Sequence, residues 1–243
     1  MKCLILAAGQ GSRLRSVAEM KPLALIAGMP LIQHVMQLAR LGGASEFVVV
    51  TGYRSELLDE ALQGAGEWTG SKVTLVHNPE WRGNNGTSVL AAAAELDGPF
   101  IILMSDHLFD PSMLRRLIDH ADPEAALTLA VDLRIDNPEL DLDDATKVQL
   151  GADGRILAIG KALDRYDAID TGIFLATPAL IDAIRGAIAA GGQGSLSEGV
   201  QALARDGRAR ALDCSDRWWL DVDDAAAFAK AERDFPAALS PQG

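Results

Sequence analysis

The stretch Lys2-Cys3-Leu4-Ile5-Leu6-Ala7-Ala8-Gly9-Gln10-Gly11-Ser12-Arg13-Leu14 decides how this chain is read. An apolar run this short, closed by glycine, fits a buried strand better than a core helix. Two glycines just past the C-terminal end of a strand let backbone N–H groups turn inward toward a phosphate. That strand edge is where open α/β sheets bind their ligands. The small side chains of Ala7 and Ala8 leave room for a planar base against the backbone. Two competing motifs fail: the dinucleotide fingerprint requires a third glycine where Leu14 stands, and the P-loop requires Gly-Lys-Ser/Thr. An ordinary strand-to-helix turn would explain two glycines alone, and a solvated surface residue would explain Lys21 alone. Arg13 and Lys21 together have one shared use, neutralising a triphosphate and the pyrophosphate that leaves it.

Outward from the loop, the first half of the chain alternates strand runs with helical patterns. Strands are expected at Phe47–Thr51, Val73–His77 and Phe100–Met104. Helices are expected at Pro30–Leu41, Ser55–Leu62, Thr87–Leu96 and, after the N-cap Asp110 and Pro111, up to His120. This alternation implies right-handed crossovers and a mostly parallel sheet covered on both faces. The second half reads differently. Ala126–Asp132 is a strand, and Thr146–Leu150 and Arg155–Gly160 flank the hairpin signal Asp153-Gly154. Ile169–Ala176 is a strand, and Thr177-Pro178 starts a helix. Ser195–Ala204 is helical, Ala209–Cys214 strand-like and Asp223–Asp234 helical. No repeat or linker interrupts the chain. One domain over residues 1–235 is expected, with a tail over 236–243.

The formal net charge of −12 argues against non-specific nucleic-acid binding, which demands clustered Lys and Arg. It does not exclude a phosphorylated small ligand, because the field is screened over roughly 8 Å at physiological salt. Residues 11–22 are locally basic, with Arg13, Arg15 and Lys21 against Glu19. With 49% hydrophobic residues the chain can bury a sizeable core. Cys3 and Cys214 show no metal or redox spacing. No signal-peptide pattern is present, and no apolar stretch approaches the roughly 20 residues of a membrane span. A cytoplasmic protein without membrane insertion is expected.

Two acidic segments complete the chemistry. Asp106 follows the apolar strand Phe100–Met104 and points into the crevice at its C-terminal end, a candidate ligand for Mg²⁺, which prefers carboxylate and phosphate oxygen. In Trp219-Leu220-Asp221-Val222-Asp223-Asp224, an extended backbone places Asp221 and Asp223 on one side, where they repel unless a cation lies between them. One of Asp223 and Asp224 can instead cap the last helix. His107 is a substrate contact or a structural residue. For a phosphomonoester substrate no general base would be needed, because with a second pKa near 6 it is already a dianionic nucleophile. Lys147 and Lys161 flank the hairpin, where they could bind a phosphate, and the polar triplet Asp170-Thr171-Gly172 breaks an apolar strand. Glu198 fits either a capping box with Ser195 or a polyol contact. The loop Arg82-Gly83-Asn84-Asn85-Gly86-Thr87-Ser88 suits a base edge at a helix start, or simply caps that helix.

Gly9-Gln10-Gly11-Ser12-Arg13 followed by Lys21-Pro22-Leu23 resembles the signature of the sugar-phosphate nucleotidyltransferase superfamily. Ser105-Asp106-His107, Ala145-Thr146-Lys147, Ile159-Gly160-Lys161, Ile169-Asp170-Thr171-Gly172, Leu196-Ser197-Glu198 and Trp219-Leu220-Asp221-Val222-Asp223 resemble, in order and spacing, the CTP:inositol-1-phosphate cytidylyltransferases. The resemblance covers roughly residues 2–230. It implies a single-domain, Rossmann-like α/β/α fold of the nucleotide-diphospho-sugar transferases with a mostly parallel mixed sheet. It also implies a Mg²⁺-dependent enzyme that joins an NTP, with CTP preferred, to a phosphorylated polyol, with inositol 1-phosphate preferred, giving CDP-inositol and pyrophosphate.

The expected catalytic residues are Arg13, Lys21 and Asp106. The nucleotide is expected against Leu6, Ala7, Ala8, Gly9, Gly11, Ser12, Arg13, Lys21, Asn85, Gly86, Thr87 and Ser105. The acceptor is expected against His107, Lys147, Lys161, Asp170, Thr171, Gly172 and Glu198, and the metal against Asp106 and Asp223 with Asp221 assisting. Phosphocholine, phosphonate and sugar 1-phosphate nucleotidyltransferases share much of the pattern, and a non-catalytic nucleotide sensor would explain the loop but not the carboxylates. A homodimer is one open option.

Overall fold

The computed structural model of the chain describes residues 1–14, 17–136 and 141–238, so Arg15 lies outside the described residues. Its strands and helices run β1 (Lys2–Leu6), β2 (Leu25–Ile26), β3 (Met29–Pro30), α1 (Leu31–Leu41), β4 (Glu46–Thr51), α2 (Ser55–Ala61), α3 (Ala65–Thr69) and β5 (Lys72–His77). They continue with α4 (Gly86–Ala91), β6 (Phe100–Met104), β7 (His107–Phe109), α5 (Pro111–His120), β8 (Leu127–Asp132), β9 (Lys147–Leu150) and β10 (Ile156–Gly160). The last elements are β11 (Ala168–Ala176), α6 (Ala179–Ala189), α7 (Leu196–Arg205), β12 (Ala209–Asp213), β13 (Trp219–Asp221) and α8 (Ala225–Ala238).

Nine strands form one sheet in which β10-β9-β11-β6-β1-β4-β5 are successive neighbours, β8 adds to β11, and β12 adds to β8. The β6, β1, β4 and β5 strands are parallel to one another, while β11 runs antiparallel to β6, β8 and β9. Because strand side chains alternate, β1 feeds two cores. Cys3 and Ile5 pack with α1, α5 and α8 on one face, and Leu4 and Leu6 pack with α4, α6 and α7 on the other. The expected three-layer, mostly parallel fold is what the chain adopts.

Local chemistry sets several boundaries. Asp110 accepts a hydrogen bond from the Ser112 N–H at 2.8 Å with Pro111 at the first helical position, so α5 starts where its cap places it. Gly154 sits at φ +76°, the left-handed turn that joins β9 to β10. Other boundaries move. The helix expected over Thr87–Leu96 is α4 plus a separate 3₁₀ turn at Ala93–Glu95. The last helix runs to Ala238, over the first three residues assigned to the tail, and residues 239–243 lie outside the described residues. The sequence reading had no counterpart for β2, β3, α3, β7 or β13.

In β11 the register shifts between Asp170 and Phe174. Gly172 in that bulge has φ +77°, and a Cβ there would stand 2.6 Å from His107 Cδ2. The polar triplet is therefore a bulge that lets β11 bend around the His107 ring.

Candidate active site

The sheet edge at the C-terminal ends of β1 and β6 opens on a cavity of about 920 Å³. Gly9 and Gly11 form one lip. Gly11 has φ +58°, and a Cβ on it would stand 2.5 Å from Lys21 Cβ, so both backbone angle and space require glycine. Leu6 and Ala8 line this end, as do Trp81, Asn85 and Ser88. The Trp81 ring meets Tyr53 edge-on at 5.2 Å, and the Arg82 guanidinium lies 4.2 Å over it.

The charged centre is assembled by two very short strands. β7 and β13 pair antiparallel with Asp221 opposite His107, and the Val222 N–H donates to the Asp106 carbonyl at 2.9 Å. This brings the acidic segments from mid-chain and from the C-terminal region onto one cation. Lys21 Nζ lies 2.5 Å from Asp106 Oδ2 and 3.8 Å from Asp221 Oδ1, and it contacts Asp223 directly. Arg13 contacts Asp223 on the other side. Lys21 is only 6% exposed. Burial works against its charge, yet Asp106, Asp221 and Asp223 hold the ammonium well above the usual lysine value. Burial likewise opposes Asp106, and the nearby Lys21 and His107 charges overcome it, holding the carboxyl far below its usual range.

His107 Nδ1 is 2.8 Å from Asp106 Oδ1. Burial disfavours its imidazolium, but Asp221 and Asp106 push it up to about 9. These neighbours favour its charged form, which suits charge stabilisation better than base catalysis. Burial raises Asp221 to about 7. Its Oδ1 is buried with no hydrogen-bond partner among the described residues.

This orphaned oxygen matters for a metal. Ligand atoms of Asp106, His107 and Asp221 lie within 4.8 Å of one another, and Asp223 stands beside them through Lys21. A hard, oxygen-preferring dication suits three carboxylates, one of which has an unsatisfied lone pair. The residues present therefore fit Mg²⁺.

The other half of the cavity is lined by His107, Asp170, Gly172 and Lys161. Burial raises Asp170 to about 6, against the Gly172 N–H and His107, which favour its charged form. Two residues absent from the sequence reading also act here. Asp144 accepts from Arg13 Nη2 at 2.5 Å and from Lys161 Nζ at 2.5 Å, tying the glycine loop to the hairpin. Asp132, at the end of β8, accepts from Arg134 Nε at 2.9 Å, Arg134 Nη2 at 2.7 Å and Trp219 Nε1 at 2.9 Å. The signal that marked Asp106, an aspartate ending an apolar strand, also marks Asp132.

Of the expected site residues, Leu6, Ala8, Gly9, Gly11, Arg13, Lys21, Asn85, Ser105, Asp106, His107, Lys161, Asp170, Gly172, Asp221 and Asp223 line this cavity. Seven stand elsewhere. Ala7 faces the opposite core. Ser12 is exposed at the start of a 3₁₀ turn. Gly86 packs on the Gly194 carbonyl, which a Cβ would approach to 2.4 Å. The Thr87 hydroxyl donates to the Asn84 carbonyl at 2.9 Å. Thr171 is fully buried and donates to the Ala130 carbonyl at 2.7 Å. The Lys147 ammonium lies 5.4 Å over the Tyr166 ring. Glu198 closes a reciprocal capping box with Ser195, and its two oxygens accept from the Gln193 and Ser195 N–H groups. The helix-cap alternative describes Glu198.

Comparison with known proteins gives a consistent result. The family model described as MobA-like NTP transferase domain matches residues 3–212. The bifunctional IPC transferase and DIPP synthase of Rubrobacter xylanophilus is 38% identical over 221 residues, which is 90% of this chain and 48% of that protein. The protein of the same name from Aquifex aeolicus is 28% identical over 232 residues, covering 95% of this chain and 50% of its own length. The chain thus spans about half the length of these curated relatives. The solved inositol-1-phosphate CTP transferase from T. maritima superposes with a TM-score of 0.84 at 25% identity, over 100% of this chain and 97% of that one.

Proposed function

Because the chain belongs to the family of MobA-like NTP transferase domains, we propose that it is a cytidylyltransferase that joins CTP to inositol 1-phosphate and releases pyrophosphate. The observation that carries this reading is the carboxylate cluster of Asp106, Asp221 and Asp223 gathered on Lys21 beside the glycine loop. A nucleotide sensor has no use for such a cluster. The similarity to proteins named for inositol-1-phosphate CTP transfer supports the choice of base and acceptor. Among the described residues no helix is long and apolar enough to cross a membrane, and we read the enzyme as cytoplasmic.

The glycine-loop amides and Arg13 bind the triphosphate and stabilise charge on the departing pyrophosphate. Lys21 shifts toward the same phosphates as they enter. Lys161 and the His107 cation draw the acceptor phosphate to the α-phosphorus, where its dianion attacks in line. Asp106 and Asp223, with Asp221, would hold Mg²⁺, which when bound supplies Lewis-acid charge stabilisation to the phosphates. A matrix of four NTPs against inositol 1-phosphate, phosphocholine, a phosphonate and several sugar 1-phosphates tests the reading, scored by pyrophosphate release. CTP with inositol 1-phosphate is expected to lead. A faster sugar phosphate would reassign the acceptor, and no release with any pair would reject nucleotidyl transfer.

A further inference from the structure

Asp132 is 0% exposed, and a charge buried so deeply needs strong compensation. It receives four donors: the Arg134 backbone N–H at 2.9 Å, the two guanidinium bonds and the Trp219 indole N–H. One carboxylate thereby fixes two side chains from separate segments, and both line the cavity. Trp219 in turn flanks His107, with their rings 6.2 Å apart and 8° from parallel. His107 is confined on its other side by Gly172, where no Cβ fits. The wall Arg134-Trp219-His107 is thus tied together by hydrogen bonds and ring stacking, and it stands on the β8 and β11 side of the cavity. The glycine loop and Trp81 lie at the ends of β1 and β4, so this wall faces the acceptor and not the nucleotide.

Its chemistry limits what it can accept. Arg134, Lys161, Arg217 and His107 line this half together with Asp144, which Lys161 engages, and Asp170. The nearby Asp216 carboxylate is engaged by the Arg116 guanidinium at 2.8 and 2.9 Å. A quaternary ammonium group would need open aromatic faces. Here the Trp219 indole N–H is bonded to Asp132, one face of its ring is stacked on the His107 ring, and the Arg134 guanidinium is held on the same carboxylate. Hydroxyl oxygens suit the same surroundings, since the Arg134 guanidinium and the Lys161 ammonium are donors to them and Asp170 accepts from them.

Building on the cytidylyltransferase reading, we propose that Asp132 is a positioning residue that holds Arg134 and Trp219 as the acceptor-selecting wall. That wall takes a hydroxyl-rich phosphate ester and rejects a quaternary-ammonium one.

Initial rates of pyrophosphate release with CTP and either inositol 1-phosphate or phosphocholine test this. The unaltered chain is expected to favour inositol 1-phosphate in kcat/KM by at least about a hundredfold, and Arg134→Gln to raise the KM for inositol 1-phosphate by about tenfold, the scale of one lost polar contact. Its KM for CTP should change little and its preference against phosphocholine should narrow. Arg134→Lys should recover part of the loss, because it restores the charge without the fork. Trp219→Phe keeps a ring but cannot donate to Asp132, so it should shift the acceptor KM in the same direction even if Arg134→Gln fails to fold. An unchanged acceptor KM in the folded variants overturns the proposal, as does a parallel rise in both KM values. If the unaltered chain uses phosphocholine as well as inositol 1-phosphate, nucleotidyl transfer stands and this inference falls. If it releases no pyrophosphate with any pair, the underlying reading falls instead.

Discussion

Lys21 is the residue whose surroundings carry the most chemistry. Its stem is pressed under Gly11, and its ammonium stands among three carboxylates. Removing it leaves those carboxylates to repel one another and takes a cation from the phosphates. Removing Asp106 breaks both the Lys21 and the His107 contacts. Lys21→Ala and Asp106→Ala should each lower turnover by at least about 10²-fold, the scale of one transition-state contact. Near-normal pyrophosphate release in either variant refutes the role assigned to it.

Asp170 shows the opposite balance. Its carboxyl, raised to about 6 by burial, titrates above its unfolded value of 3.8. Such a group costs folding free energy once it ionises: the cost is absent well below pH 3.8, grows between there and about pH 6, and is complete above. Asp170→Asn keeps an acceptor for the Gly172 N–H, so it should stabilise the fold at pH 7.5 by up to about 2–3 kcal/mol and much less at pH 4. It should also weaken acceptor binding. Melting curves at the two pH values check the first claim, and equal gains at both would refute burial as the cause.

At the scale of elements, the start of α7 separates structural from functional readings. Ser195 accepts from the Glu198 N–H, and Glu198 accepts from the Ser195 and Gln193 N–H groups just before the helix, outside the cavity. Ser195→Ala should cost about 1 kcal/mol of stability, as loss of an N-cap does, with both substrate KM values unchanged. A raised acceptor KM would return Glu198 to the site. The β11 bulge behaves differently. Gly172→Ala forces a Cβ into the His107 ring at a positive φ, so stability and turnover should fall together. Differential scanning calorimetry with steady-state kinetics on the same samples would reveal a variant that loses only one. Elements with local signals were legible: Asp110-Pro111 announced α5, and Asp153-Gly154 announced the hairpin. β7 and β13 were not, because three residues carry no periodicity and each strand exists only through the other.

Across the whole molecule, the two cores on either face of the sheet are built from apolar side chains, and the carboxylates that would hold a metal belong to neither. Chelation should therefore abolish pyrophosphate release while leaving the far-UV spectrum and melting temperature nearly unchanged, and added Mg²⁺ should restore turnover. Unfolding on chelation would make the metal structural instead. The division of the cavity follows from the sheet. Parallel strands on one side carry the glycine loop, and the antiparallel β11 with β8 carries the acceptor wall. The antiparallel part of the main sheet begins along the chain with the β9–β10 hairpin, where the sequence changes from alternating strands and helices to a hairpin pattern, and β11 then runs antiparallel to β6, β8 and β9.

Some of this was written in the chain itself. Apolar periodicity, caps and glycines are local, so the strand-loop motif at Gly9–Arg13, the layered α/β class and the candidate carboxylates could be read directly. Position relative to distant segments is not local. Only packing decided that Lys21 sits among Asp106, Asp221 and Asp223, that Asp144 joins Arg13 to Lys161, and that Asp132 fixes Trp219. The same packing turned Thr171 and Glu198 away from the cavity, because each found a backbone group that needed a partner. Sequence assigns a side chain its chemistry. The fold decides which charge it must answer, because that depends on which other segments share its low-dielectric space.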